Sequence, residues 1–193
     1  MNKSIILSAV MILMAVLFIA VMPTEAEGAV YEDTVRLHIL AESDSAEDQA
    51  VKIALRDAVL SEFGVRLREA ECAEDARAAL SLMLGEIEEF CARELEDMGY
   101  SGGVSATLVE EWYETREYAD FTLPAGVYAS LRIVIGEGKG QNWWCVMYPP
   151  MCLDIACEKE AADRYTDEER VLISGNGYRA KFKILELISS AFS

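Results

Sequence analysis

Histidine is almost absent: His38 is the one imidazole in 193 residues. A Ser–His–Asp or Cys–His catalytic arrangement would have to use it. It sits between Leu37 and Ile39 in an alternating stretch, where a structural hydrogen bond is the expected use. Cys145 and Cys152 have no second cysteine pair nearby, so the four short-spaced ligands of a structural zinc site are missing. Basic residues are scarce as well: 17 Lys and Arg stand against 34 Asp and Glu, for a formal charge of −17. Nucleic-acid binding needs clustered cations, and this balance excludes it. Anionic lipid headgroups would repel the chain for the same reason. "DSAED" lacks the glycine and the ligand spacing of a calcium loop. No internal repeat or low-complexity tract is present, and no cofactor is expected.

Charge is also missing from residues 5–22, "IILSAVMILMAVLFIAVM", whose one polar residue is Ser8. Lys3 and the α-amine precede this run, which is the charge order of an export signal. The run is long for a cleaved signal peptide and just long enough to span a bilayer. Ala26 and Gly28 stand at the small-residue positions before a cut at Ala29. Residues 1–28 are therefore expected to be a signal peptide or a membrane anchor, and residues 29–193 one exported domain. Removing 1–28 takes away Lys3, Glu25 and Glu27 and moves the formal charge from −17 to −16. The remaining length of about 165 residues suffices for a single core.

Periodicity then sets the elements. "TVRLHILAES" alternates like a strand. Ser45, with Asp48 three residues on, resembles a helix cap, and Val51, Leu55, Val59 and Phe63 follow at helical spacing up to Gly64. A second helical stripe runs from about Glu71 to Met98, with Gly85 as an expected kink or break and Gly99 as its C-terminal cap. After Gly102 and Gly103 the period changes. "VSATLVEEWYETREY", "GVYASLRIVIGEG" and "NWWCVMY" predict three strands in an antiparallel meander, with the first strand joining the same sheet. "TDEERVLIS" predicts a short helix capped by Thr166 with Glu169, and "YRAKFKILELISSAF" a closing helix. The fold class is α+β: two longer helices on one face of a mainly antiparallel sheet of about four strands, plus the C-terminal helix.

The densest stretch is "GEGKGQNWWCVMYPPMC". It is not a phosphate-binding loop, because Lys139 is followed by Gly140 and Gln141 and then by a strand. Gly136, Gly138 and Gly140 are expected to supply positive backbone dihedrals in a tight hairpin loop. In an oxidising compartment Cys145 and Cys152 are expected to form a disulfide, with the two prolines bending the chain back between them. A loop this short would stabilise the fold by about 2.5 kcal/mol. Cys72, Cys91 and Cys157 leave an odd thiol, with either a Cys72–Cys91 pair or buried free thiols. Trp143 and Trp144 should point to opposite faces of their strand. One fills the core, and the other lies under a loop or anchors a protein partner.

"RLHILAESDSAEDQAVKIALRDAV" and "LPAGVYASLRIVIGEGKGQNWWCVMYPPMC" together resemble the stage II sporulation protein R family, over about residues 35–155. The family pattern is expected to have Asn where Glu42 stands and Pro where Ala46 stands. The resemblance implies a signalling protein rather than an enzyme. It would be exported from the forespore into the space between the two sporulation membranes. There it would activate a membrane-embedded aspartic protease of the mother cell, which removes the pro-sequence of sigma-E. The partner-binding surface is expected around Gly136–Cys152 with the "SDSAEDQ" loop. Trp143 or Trp144 would be the anchor, Lys139 and Asn142 polar contacts, and Cys145–Cys152 the brace. The rival reading is a secreted cell-wall hydrolase with paired Asp or Glu residues as acid and base.

Overall fold

The computed structural model describes residues 3–22, 24–118, 121–150 and 164–174. The apolar run forms α1 (Lys3–Val21), about 28 Å long at 1.5 Å per residue. Among the described residues, no helix is long and apolar enough to cross a membrane. Directly after it, Thr24 and Glu27 form a reciprocal capping box: each side chain accepts the other's backbone N–H, at 3.3 and 2.5 Å. This starts α2 (Glu25–Glu32), which the sequence reading does not anticipate.

β1 (Val35–Leu40) follows, then α3 (Ala46–Val59), whose N-cap Ser45 accepts from the Asp48 amide at 3.0 Å as expected. A π-type turn at Leu60–Gly64 extends α3 and buries Phe63. α4 (Ala73–Asp97) is unbroken. Gly85 does not kink it, because nothing lies against that position and Leu80 and Ile87 on either side bury in one core. Gly99, at φ +78°, ends it. The Gly99 amide bonds Glu96 O at 2.9 Å and the Tyr100 amide bonds Leu95 O at 2.8 Å, the pattern of a Schellman cap. Then come β2 (Val104–Tyr113), a two-stranded ribbon of β3 (Arg116–Glu117) and β4 (Thr122–Leu123), β5 (Gly126–Ile135) and β6 (Asn142–Tyr148). α5 (Asp167–Ile173) carries the expected Thr166–Glu169 capping box. The closing helix expected at 178–192 lies outside the described residues.

The α+β class holds, with a four-stranded, mostly antiparallel sheet in the order β2-β5-β1-β6. The expected meander does not form. β1 lies between β5 and β6, parallel to the first and antiparallel to the second. Its burial explains the position: Val35, Leu37 and Ile39 are fully buried on one face, and Arg36 and His38 are buried on the other. A strand covered on both faces belongs in the middle of a sheet. The first face packs on α3 and α4, where Leu55, Val59, Leu80, Ile87 and Leu95 join Leu131 and Ile133. Each such aliphatic side chain contributes about 1.5–3 kcal/mol by leaving water. The second face is covered by α2, α5 and the β3–β4 ribbon around Tyr113, Tyr128, Val146 and Tyr165.

Candidate functional site

Because β1 separates β5 from β6, residues 136–141 do not form a hairpin. They cross over the end of β1 and meet the chain that leaves it. Gly140 N donates to Ala41 O at 2.9 Å and Lys139 N to Glu42 O at 3.2 Å. The Glu42 carboxylate accepts from the Glu137 amide at 2.6 Å and from the Tyr100 hydroxyl at 3.2 Å. The Gln141 amide donates to Asp44 at 2.7 Å. Lys52, 3% exposed, donates to Gln49 and, at 2.8 Å, to Gln141 O. Burial lowers its ammonium's pKa, and Asp44 works against that. Gly136 and Gly138 have the expected positive φ. Gly140 has a different reason to be glycine: a Cβ there would stand 2.2 Å from Ser43 O. The two motif stretches are thus one clasped rim. Glu42, where the family pattern suggests an amide, is the side chain that holds the glycine loop.

The predicted residues fall on this rim. Lys139 is exposed and paired with Glu137. Trp143 and Trp144 open β6 and do face opposite sides of the sheet, opposite Ile39 and His38 of β1. Neither projects freely, since both are half-buried. Trp143 lies toward α3 with the Arg56 guanidinium 4.4 Å from its ring centre. Its indole N–H is buried and meets no acceptor. Trp144 is flanked by the His38 ring at 5.7 Å and covered by the Arg116 guanidinium at 3.9 Å. Cys145 is buried beside them and disulfide-bonded. Cys152 lies outside the described residues. Cys72 and Cys91 are free thiols, one exposed and one buried.

The face behind Trp144 carries a polar network that the sequence does not advertise. His38 Nδ1 contacts the Glu111 carboxylate at 3.0 and 3.1 Å, and Nε2 contacts Asn142 Oδ1 at 3.1 Å. Tyr113 donates to Glu111 at 2.9 Å and meets Ser130 at 2.6 Å. Burial alone would raise the Glu111 pKa. Hydrogen bonds from His38 and Ser130, the electrostatic pull of His38 and the Tyr113 bond outweigh it and bring the value down to about 2. Next to this network Arg36 is fully buried, bonded to Tyr118 at 2.7 Å and lying 4.0 Å over the Tyr113 ring. Its Nε and Nη1 have no partner. The available signal was the placement of Arg36 and His38 at alternate positions of an otherwise apolar strand. Asn142, expected as a polar contact, is exposed and oriented by His38.

Chemically, this arrangement positions side chains, with the Ser130 hydroxyl beside the Glu111 carboxylate. Ser130 is fully buried. Among the described residues no group of His, Cys, Asp and Glu could hold a metal ion.

Comparison with known proteins places this geometry in a context. The family model for stage II sporulation protein R matches residues 31–157. Stage II sporulation protein R of Bacillus subtilis (strain 168) is 30% identical over 189 aligned residues, covering 84% of this chain and 83% of the relative. No solved structure matches the chain.

Proposed function

The chain belongs to the stage II sporulation protein R family, and from that premise we propose that it is an exported signalling protein. It acts across the sporulation septum on a membrane-embedded aspartic protease, which then processes pro-sigma-E in the mother cell. The apolar N-terminal segment serves as export signal or anchor, and the domain after it works between the two membranes. One observation carries the reading: the glycine loop and the loop after β1 are tied by backbone hydrogen bonds into a single rigid rim. Trp143 and Trp144 stand at its edge, each braced by an arginine. A preorganised surface loses little conformational entropy when a partner binds it. The disulfide of Cys145, paired with Cys152 in this reading, holds the strand that carries both tryptophans.

Asp33 and Glu169 share a side-chain hydrogen bond, but this carboxyl pair does not favour the hydrolase alternative. Glu169 is 1% exposed and accepts the Thr166 amide at 2.6 Å, which commits it to capping α5.

The test is complementation. The gene is placed under a forespore promoter in a spore-former that lacks its own R protein, and sigma-E processing is followed by immunoblot. The shortened sigma factor should appear. Trp144→Ala should abolish it without changing the level of exported protein. Failure of the wild-type chain even with its cognate protease supplied would overturn the reading. Survival of signalling through every substitution in residues 136–144 would move the interface elsewhere.

A further inference from the structure

The sheet has an open edge strand that runs away from the clasped rim. β2 is terminal in the strand order, and the rim joins its Val104 end, where Val104 pairs with Ile135. The Ala106 amide donates to the Glu88 carboxylate at 3.0 Å, so the backbone groups of Ala106 point away from β5. Those groups alternate along an antiparallel strand, and therefore Leu108, Glu110 and Trp112 also turn their N–H and C=O outward. Among the described residues no strand pairs with that edge. Glu88 blocks strand addition at the Ala106 end, a usual way of protecting an edge. Among the described residues, no side chain is seen to plug the Leu108–Trp112 end in this way.

That end is also the apolar part of the strand's surface. Trp112 is 48% exposed, and Val127, its cross-strand partner, is 47% exposed. Beside them α2, α4 and the sheet border an open cavity of about 890 Å³, lined by Tyr31, Asp33, Glu74, Arg77, Glu110 and Val127 among others. Its charge is mainly negative, and the Arg77 guanidinium is turned to the Glu32 carbonyl. The Asp33 carboxyl is raised by burial and then by neighbouring Glu169, as expected where cations are too few.

We propose that the Leu108–Trp112 edge docks an extended, basic segment of a protein partner, which adds to the sheet as a fifth strand and places a Lys or Arg side chain in the acidic cavity. Main-chain pairing supplies affinity in this mode, and the alternate side chains supply selectivity. The charge sets the occupant. A second copy of so acidic a chain would bring Glu110 and its neighbours against themselves, whereas a basic strand complements them.

The probe is a synthetic peptide of alternating lysine and valine, titrated into the full chain in detergent micelles at about 0.15 M salt. Amide hydrogen exchange and the tryptophan indole resonances are the readouts. The amides of Leu108, Glu110 and Trp112 should gain protection together. Those of Val109 and Glu111, already bonded to β5, should not change. The Trp112 indole should shift while those of Trp143 and Trp144 stay. Glu110→Lys, at an exposed site that keeps the fold, should weaken binding by at least about tenfold. Protection without this alternation, equal binding of a glutamate–valine peptide, or indifference to Glu110→Lys would overturn the proposal. So would a dimer that already protects these amides without peptide, because the occupant would then be a second copy.

Discussion

Replacing Gly140 by alanine tests the clasp directly. The new Cβ would meet Ser43 O at 2.2 Å, Ser43 C at 2.6 Å and Ala41 Cβ at 3.0 Å. The first two are backbone atoms with no rotamer to escape into, so the loops must separate. Overpacking of this kind costs about 1–3 kcal/mol. Separation also lengthens the Gly140–Ala41 and Lys139–Glu42 backbone bonds, each worth about 0.5–1.5 kcal/mol net. Part of the strain is relieved by breaking those bonds, so the two costs do not simply add. The expected loss is about 2–3 kcal/mol. The control is Gly103→Ala, where nothing lies within 4 Å and φ is not positive. There alanine should be neutral or stabilising by up to about 1 kcal/mol, through the unfolded chain. Urea unfolding of the two variants and the parent gives the comparison, and a thermal melt should place Gly140→Ala roughly 4–12 °C below the parent. If Gly140→Ala matches Gly103→Ala within about 0.5 kcal/mol, the two loops are not clasped as described.

Acid should act partly through Glu111. Its folded pKa is depressed, so its contribution to stability is complete above the ordinary carboxylate value of 4.5 and is lost as pH falls toward about 2. Glu111→Gln should therefore lose less stability than the parent across that window in urea titrations, and an equal loss would contradict the network. The two free thiols should differ sharply: Cys72 is exposed, while burial pushes Cys91 up to about 12. Iodoacetamide on the native protein, read by peptide mapping, should mark Cys72 and leave Cys91 until urea is added. Thr24→Ala removes one half of the α2 capping box and should lower stability by about 1 kcal/mol. A melt unchanged from the parent would mean that α2 does not fold cooperatively with the domain.

Much of the secondary structure is legible because it is punctuated locally. Ser45, Thr166 and Gly99 mark helix ends by hydrogen bonds made within a few residues, and these appear as expected. The sheet order is not local. Nothing in β5 or β6 alone says that a strand from residues 35–40 will insert between them, since that depends on which strand has both faces covered. α2 carries a readable signal, Thr24 with Glu27 three residues later. The apolar run before it invites reading the whole segment as the tail of an export signal, yet α2 runs across the junction between Gly28 and Ala29 and buries Glu27 and Val30. The tryptophan pair shows a different limit. Alternation gives the side each ring faces, but the arginines that cover them come from α3 and β3, far away in sequence. The exposed tryptophan, Trp112, belongs to an edge strand whose status only the strand order reveals.

The same insertion of β1 is what turns two separated motifs into one surface. Glu42 and Glu137 are 95 residues apart and share a 2.6 Å hydrogen bond, because the chain leaving β1 emerges where the 136–141 loop must cross. In a β5–β6 hairpin that loop would reverse on itself and have no reason to meet residues 41–49. Three devices in this stretch fit a crossing rather than a hairpin. Gly140 lets the backbones touch, Glu42 takes amide and hydroxyl hydrogens from two other segments, and the Lys52 ammonium caps the Gln141 carbonyl. His38, one pleat back on β1, then fixes Asn142 at the start of β6. The rim is therefore anchored through the central strand to the core on both faces of the sheet. A partner pressing on Trp143 or Trp144 meets a surface that cannot yield without disturbing β1.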